Sequence, residues 1–343
     1  QDVNEFSPVF GDGDTATATP NENQQAVGTY AASDADGTAT QTYSILTATQ
    51  NAASVDHDLF SVASGGVLTF ATAPNYESAG CGSGDDSNTC AVVIQVTDGA
   101  NTDTITVTVN VQDVNEFSPE FGDGSTATAN VDENQQAVGT YAASDADGTA
   151  TQTYSILTAT QNAASVDHDL FSVASGGVLT FATAPNYESA GCGSGDDSNT
   201  CAVVIQVTDG ANTDTITVTV TVQDLNDETP AFTSSGTPSI NENVRNVLTL
   251  AASDTDAGDS ATFAITGGAD SELFEIDGGT TLRFAAAAGA NYESPGDAGT
   301  NNEYVVVVTA TDTGANAVAQ TITITIQDVN EFSPVFGDGD TAT

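Results

Sequence analysis

The chain has 343 residues and carries 48 Asp and Glu against 2 Lys and Arg, a formal net charge of −46. With only Arg245 and Arg283 to meet a phosphate, non-specific nucleic-acid binding through phosphate contacts is excluded, and the charge argues against docking on an anionic membrane. A compact state this acidic repels itself unless cations or salt offset the charge. Hydrophobic residues make up 38% of the sequence, enough for several small β cores, and no apolar run reaches the roughly 18 residues that a membrane helix needs.

Internal repetition dominates the sequence. Residues 1–111 and 112–222 align without a gap and differ only at Val9/Glu120, Asp14/Ser125, Thr19/Asn130, Pro20/Val131, Asn21/Asp132 and Asn110/Thr221. Residues 223–326 form a third, divergent unit, and residues 327–343 repeat residues 1–17 letter for letter. The pattern predicts repeats over 1–113, 114–224 and 225–328, with 329–343 opening the next. Together with the lack of a signal pattern at Gln1, it is the pattern of an excerpt from a longer array.

Within the first unit the apolar period is two. Short strands are expected over Ala26–Ala32, Gln41–Leu46, Leu59–Val62 and Gly66–Phe70, between Gly, Asp and Ser turns. Ala91–Val96 is a more continuous apolar strand, and Asp98-Gly99-Ala100-Asn101 turns it into the alternating Thr104–Val111. About seven strands in roughly 110 residues, with no amphipathic helix, predict a β-sandwich of immunoglobulin size. Tyr30, Tyr43, Phe60, Leu68, Phe70, Ile94, Ile105 and Val107 are its expected core. Cys81/Cys90 and Cys192/Cys201 are local pairs in Gly/Ser/Asp-rich loops and read as disulfides of an oxidising, extracellular setting. A zinc site on the same pair would need two more ligands nearby, and the surrounding sequence has none.

Five acidic motifs recur in the same order in every unit. In the first they are Glu22 in Asn-Glu-Asn, Asp34 and Asp36 in Asp-Ala-Asp-Gly, Glu77 in Asn-Tyr-Glu, Asp98 in Val-Thr-Asp, and the linker Gln-Asp-Val-Asn-Glu-Phe-Ser-Pro that begins at Gln112. Any one of these aspartates alone is a turn or cap residue. The third unit has diverged elsewhere and lost its cysteines, yet keeps every one of these acidic positions. A merely solvated face does not need such register, so the set reads as oxygen ligands for a hard cation.

These motifs resemble the cadherin repeat: the linker Asp113 to Phe121 as Asp-x-Asn-Asp/Glu-x-x-Pro-x-Phe, the Glu22 position, the Asp145-x-Asp147 pair, Asn75-Tyr76-Glu77 in place of Asp-Arg-Glu, and Thr208-Asp209. The resemblance implies an all-β chain of tandem seven-stranded Greek-key sandwiches arranged end to end, with about three Ca²⁺ ions at each junction. Carried over position by position, the first junction takes Glu22, Glu77, Asp113, Asn115, Glu116, Asp145, Asp147 and Asp209, with the carbonyls of Val114 and Phe117. The second takes Glu133, Glu188, Asp224, Asn226, Asp227, Asp254, Asp256 and Asp312. Half-junctions remain at the ends, with Asp2, Asn4, Glu5, Asp34, Asp36 and Asp98 at the start and Glu242, Glu293, Asp328, Asn330 and Glu331 at the finish. Asn75, Asn186 and Asn291 replace a family aspartate, which weakens one ion per junction, and Glu116 lengthens one ligand arm. The chain has no tryptophan, so adhesion by exchange of an N-terminal Trp cannot operate.

The implied function is a calcium-stiffened extracellular array, the shaft of a microbial surface adhesin or filament, whose partners are calcium, neighbouring repeats and copies of the same protein. The alternative is a calcium-dependent module that binds glycans or surface proteins. Catalysis is not expected. His57 and His168 sit in Asp-His-Asp-Leu-Phe before a strand with no matching nucleophile, and the third unit has Ser271 there. Asp12, Asp14, Asp85 and Asp86 lie outside the ligand set and suit a salt- or calcium-rich medium.

Overall fold

The computed structural model describes residues 4–37, 40–78, 80–81, 88–148, 151–189, 191–192 and 199–334. In the first unit the strands are β1 (Val9–Phe10), β2 (Thr15–Ala18), β3 (Ala26–Thr29), β4 (Ala32–Ser33), β5 (Thr42–Ile45), β6 (Phe60–Ala63), β7 (Val67–Phe70), β8 (Thr89–Thr97) and β9 (Thr102–Asn110). One sheet has the order β2-β9-β8-β5, a second the order β3-β7-β6, and β1 pairs with β4. Every pairing is antiparallel except β2 beside β9, which is parallel. The same three sheets recur from Glu120 to Gln223 and from Ala231 to Gln327.

The long hairpin β8–β9 is the spine of each unit. Alternation puts Val92, Ile94 and Val96 against Ile105, Val107 and Val109, all fully buried, while the threonines between them face outward. Burying each such side chain contributes about 1.5–3 kcal/mol, which sets the hairpin as the seat of the core. Leu68 and the Phe60–Phe70 pair, with ring centroids 4.7 Å apart, close the core from the second sheet. Of the expected core residues only Tyr43 stays half-buried, because its hydroxyl sits at the rim, accepting from Ala32 N and donating to Gln41 Oε1. The β6–β7 turn needs glycine: Gly66 has φ +78°, and a Cβ there would lie 1.9 Å from Tyr30 O.

Strands β1 and β2 extend what the periodicity announced. Thr-Ala-Thr-Ala alternates, but its side chains are too small to mark a buried face, and its partner β9 lies some 90 residues away. In the first unit β2 stops before Thr19-Pro20, since proline lacks the N–H the ladder requires. In the second, Val131 stands at that position and the strand runs over Thr126–Asp132. His57 and His168 open single 3₁₀ turns, His57–Leu59 and His168–Leu170, directly before strands. No helix among the described residues is long and apolar enough to cross a membrane.

Both cysteine pairs are disulfides, with Cα–Cα separations of 4.7 Å for Cys81–Cys90 and 4.6 Å for Cys192–Cys201. In the third unit Tyr304 takes the place of Cys90 and Cys201. It is buried, its ring stands edge-on to Phe274 and Phe284, and its hydroxyl accepts from Gly296 N at 3.0 Å. An aromatic plug thus replaces a cross-link. Reducing the disulfides removes about 2–3 kcal/mol from each of the first two units in the loop-entropy account. Amide hydrogen exchange with and without reductant checks this: protection falls in 89–110 and 200–223 and is unchanged in 303–327.

Candidate functional site

The junctions are built outward from one buried glutamate per unit. Glu22 is 2% exposed. Its Oε2 accepts from Tyr76 N at 2.7 Å and its Oε1 from Val114 N at 2.9 Å, so one carboxylate ties the loop after β7 to the linker. The Glu22 backbone N–H donates to Gln112 O at 3.0 Å, and Asn23, at φ 60°, turns the chain and sends its Nδ2 to Glu116 Oε1 at 2.7 Å. Asparagine tolerates that left-handed conformation. Glu133 accepts likewise from Tyr187 and Leu225, and Glu242 from Tyr292 and Val329.

The linker also holds the next unit. At the first junction Phe117 N donates to Asp147 Oδ2 at 3.0 Å, and Asn212 Nδ2 donates to Phe117 O at 2.7 Å. The Asn115 amide meets Asp209 Oδ2 at 2.9 Å and Asp147 Oδ2 at 3.2 Å. With its nitrogen inward it donates to both, and with its oxygen inward it offers another ligand atom. Glu22, Glu77 and Asp113 present oxygens all within 4.8 Å of one another, and so do Asp145, Asp147 and Asp209. The charges of Asp113 and Glu116 act on both Glu77 and Asp147.

At the second junction the groups within 4.8 Å are Glu133, Glu188 and Asp227 on one side and Asp254, Asp256, Asp259 and Asp312 on the other. Asp224 Oδ2 accepts from Ala257 N at 2.8 Å, and Glu228 N donates to Asp256 Oδ2 at 3.2 Å. Asn226 Oδ1 accepts from Asn316 Nδ2 at 3.0 Å. At the start, Phe6 N donates to Asp36 Oδ2 at 2.8 Å, and the Asn4 amide lies 3.1 Å from both Asp36 Oδ2 and Asp98 Oδ2. Asp34 Oδ1 accepts from Asp36 N, Glu5 is exposed, and Asp2 lies outside the described residues. At the finish, Glu242, Glu293, Asp328 and Glu331 gather within 4.8 Å, with Asn330 exposed beside them.

Comparison with solved structures finds this fold in cadherin and protocadherin extracellular repeats. Mouse cadherin-23 EC22–24 superposes with a TM-score of 0.57 at 18% identity, covering 95% of this chain and 100% of that one. Human CDH23 EC21–23 gives 0.61 at 18% identity, covering 93% and 99%. The protocadherin GammaB4 extracellular domain gives 0.62 at 22% identity, covering 98% of this chain and 52% of that one. The fold is the cadherin-repeat fold. Human protocadherin-16 is 36% identical over 129 residues, 35% of this chain, and the chain spans only 4% of that relative's length. No protein-family model matches the chain. The resemblance read from the acidic motifs therefore holds at the level of the cadherin-repeat fold.

The donor chemistry of these cadherin-type junctions fits a hard cation. Asp145 Oδ2, Asp224 Oδ1, Asp254 Oδ2, Asp256 Oδ1 and both oxygens of Glu188 are buried with no hydrogen-bond donor. A buried carboxylate needs a charge partner. The chain's two arginines are both committed elsewhere: Arg245 and Arg283 bind Glu275 on the second sheet of the third unit. The carboxyls respond as an uncompensated group would. Burial, and then the charges of Asp145, Glu116 and Asp113, push Asp147 up. Burial pushes Glu188 up, with Glu133, Asp224 and Asp256 adding to it. Asp256 rises by burial and by Asp254, Asp224 and Asp227. Glu77 lies on an exposed stretch, yet local burial of its carboxyl, followed by Glu22, Glu116 and Asp113, raises it.

Others are held low by backbone donors. Asn101 and Ala100 N–H groups depress Asp98, and those of Tyr292 and Val329 depress Glu242. At Asp209 burial opposes the change, but the N–H groups of Asn212 and Ala211 outweigh it. Two site residues were not among the expected set. Asp259 accepts from Thr313 Oγ1 at 2.7 Å and from Asn226 Nδ2 at 2.6 Å. Alignment of the units places Asp259 where the others have Ala39 and Ala150, and Thr313 is an extra residue after the shared Asp312. Comparing the units for their differences, rather than for what they share, would have found both.

A carboxyl raised on folding binds a proton more readily in the native state, so its ionisation destabilises the fold. In chelator, stability therefore rises as pH falls from neutrality toward the carboxylate range, where the raised carboxyls of Asp147, Glu188, Asp256 and Glu77 take up protons before free ones do. It falls again below the ordinary carboxylate range, as Asp98, Asp209 and Glu242 lose their charge-dependent hydrogen bonds. A thermal-melting series against pH in chelator shows a maximum on the acidic side; a monotonic loss from pH 7 downward contradicts it.

Proposed function

We propose that the chain is a calcium-stiffened extracellular shaft in which each junction is a composite Ca²⁺ site. The observation that carries this is the gathering of carboxylates at both internal junctions, with buried oxygens that have no donor on Asp145 at the first and on Glu188, the linker's Asp224, Asp254 and Asp256 at the second. Calcium takes six to eight oxygens, some bidentate, in a tolerant geometry, whereas magnesium demands a small octahedron and keeps its water. Glu22, Glu77, Asp113, Asn115 and Glu116 would hold ions from the first unit and linker, and Asp145, Asp147 and Asp209 from the second. The next junction would use Glu133, Glu188, Asp224, Asn226, Asp227, Asp254, Asp256 and Asp312. Seven carboxylates at the first junction set against about three divalent ions leave a nearly neutral joint.

Bound ions supply positive charge, and the protein supplies orientation. Backbone N–H donors fix Glu22 and Asp147 before any ion arrives. With ions the two sandwiches are tied together; without them the carboxylates repel and the joint opens. The repeated, non-catalytic geometry suits a spacer that positions some other element of a surface adhesin or filament. The extracellular setting is supported by the disulfides and by the likeness to ectodomains. The repeat boundaries at about 113, 224 and 328 belong to the same proposal, each linker being shared between two units.

Ligand binding to the native state alone stabilises it by about 2.7 kcal/mol per site at a concentration one hundred times Kd. The melting temperature accordingly climbs with calcium concentration, and magnesium at equal concentration gives a smaller shift. Superimposable melts in calcium and in chelator would sink the proposal.

A further inference from the structure

The two internal junctions are not equivalent. At the first, the group facing the linker from the following unit is Asp145, Asp147 and Asp209; at the second it is Asp254, Asp256, Asp259 and Asp312. The fourth carboxylate arises from two changes that occur together in the third unit. Asp259 stands where the earlier units have Ala39 and Ala150, and the loop after Asp312 is one residue longer, which inserts Thr313. The two meet in space: Thr313 Oγ1 donates to Asp259 Oδ1 at 2.7 Å, and Asn226 of the linker donates to Asp259 Oδ2 at 2.6 Å. Asp259 is thus clamped in place by the next loop and by the linker.

A second observation marks this as a ligand site rather than a crowd of surface acids. Asp256 is 5% exposed, belongs to the same group within 4.8 Å, and its Oδ1 has no hydrogen-bond donor; Asp254 Oδ2 is in the same condition. Both residues belong to the one group whose carboxylate oxygens lie within 4.8 Å of one another. Adding a fourth acid there worsens repulsion in the absence of a cation and strengthens binding of one in its presence.

We infer that Asp259 is an additional calcium ligand, oriented by Thr313, and that it makes the second junction load at lower calcium than the first. This rests on the reading of the junctions as calcium sites. The consequence is stepwise stiffening. Over a window of calcium concentration the joint between the second and third units is rigid while the joint between the first and second still hinges.

The test is calorimetric titration of calcium into the whole chain, wild type and Asp259→Ala, with Thr313→Ala as the orienting control. Wild type shows a tight class of sites and a weaker one. Asp259→Ala weakens the tight class by about tenfold or more while the weaker class is unmoved, and Thr313→Ala gives a smaller change in the same direction. If wild type binds calcium and Asp259→Ala gives the same isotherm, Asp259 is not a ligand, while the calcium reading of the junctions stands. If wild type takes up no calcium, both fall.

Discussion

Everything distinctive about this chain follows from placing like charges where water cannot fully screen them. Each junction collects carboxylates from one sandwich, a linker and the next sandwich, and several of their oxygens are buried without a donor. In a chain with two basic residues, both engaged elsewhere, nothing internal compensates that charge. On the proposed reading, cations from solution would meet that charge and set the stiffness of each joint.

The sandwiches and the junctions divide the work. The β8–β9 hairpin and its counterparts form apolar cores that owe nothing to the acid, and in two of three units a disulfide adds to them. The junction glutamates are held by backbone N–H donors of the loop that follows the second-sheet hairpin and of the linker, so the carboxylates are oriented by the chain itself. On the proposed reading, that preorganisation would concentrate the cost of ion loss on the joint rather than on the fold. A sandwich can stay folded while the angle between neighbours becomes free.

Much of this was legible in the letters, and the exceptions have physical causes. Thr104–Val111 shows its strand because Ile and Val contrast with Thr in burial, whereas Thr15–Ala18 hides its own because alanine and threonine scarcely differ in size and the pairing strand is remote. Glu22, Asp145 and Asp147 stand out as candidate ligands because they recur in register. Their orienting partners did not: Tyr76 and Val114 act through backbone N–H groups, which any residue would offer. Asp259 was invisible to a search for shared positions since only one unit carries it.

The central claim is that cations, not direct contact between sandwiches, hold successive units in line. Small-angle scattering of the whole chain tests it most directly, first in millimolar calcium and then after chelation. The account predicts an extended particle with a sharply bounded maximum dimension in calcium, and a broader distribution with a shorter mean end-to-end distance in chelator. Each sandwich should keep its β signature in circular dichroism throughout. Superimposable scattering curves in the two conditions would contradict it.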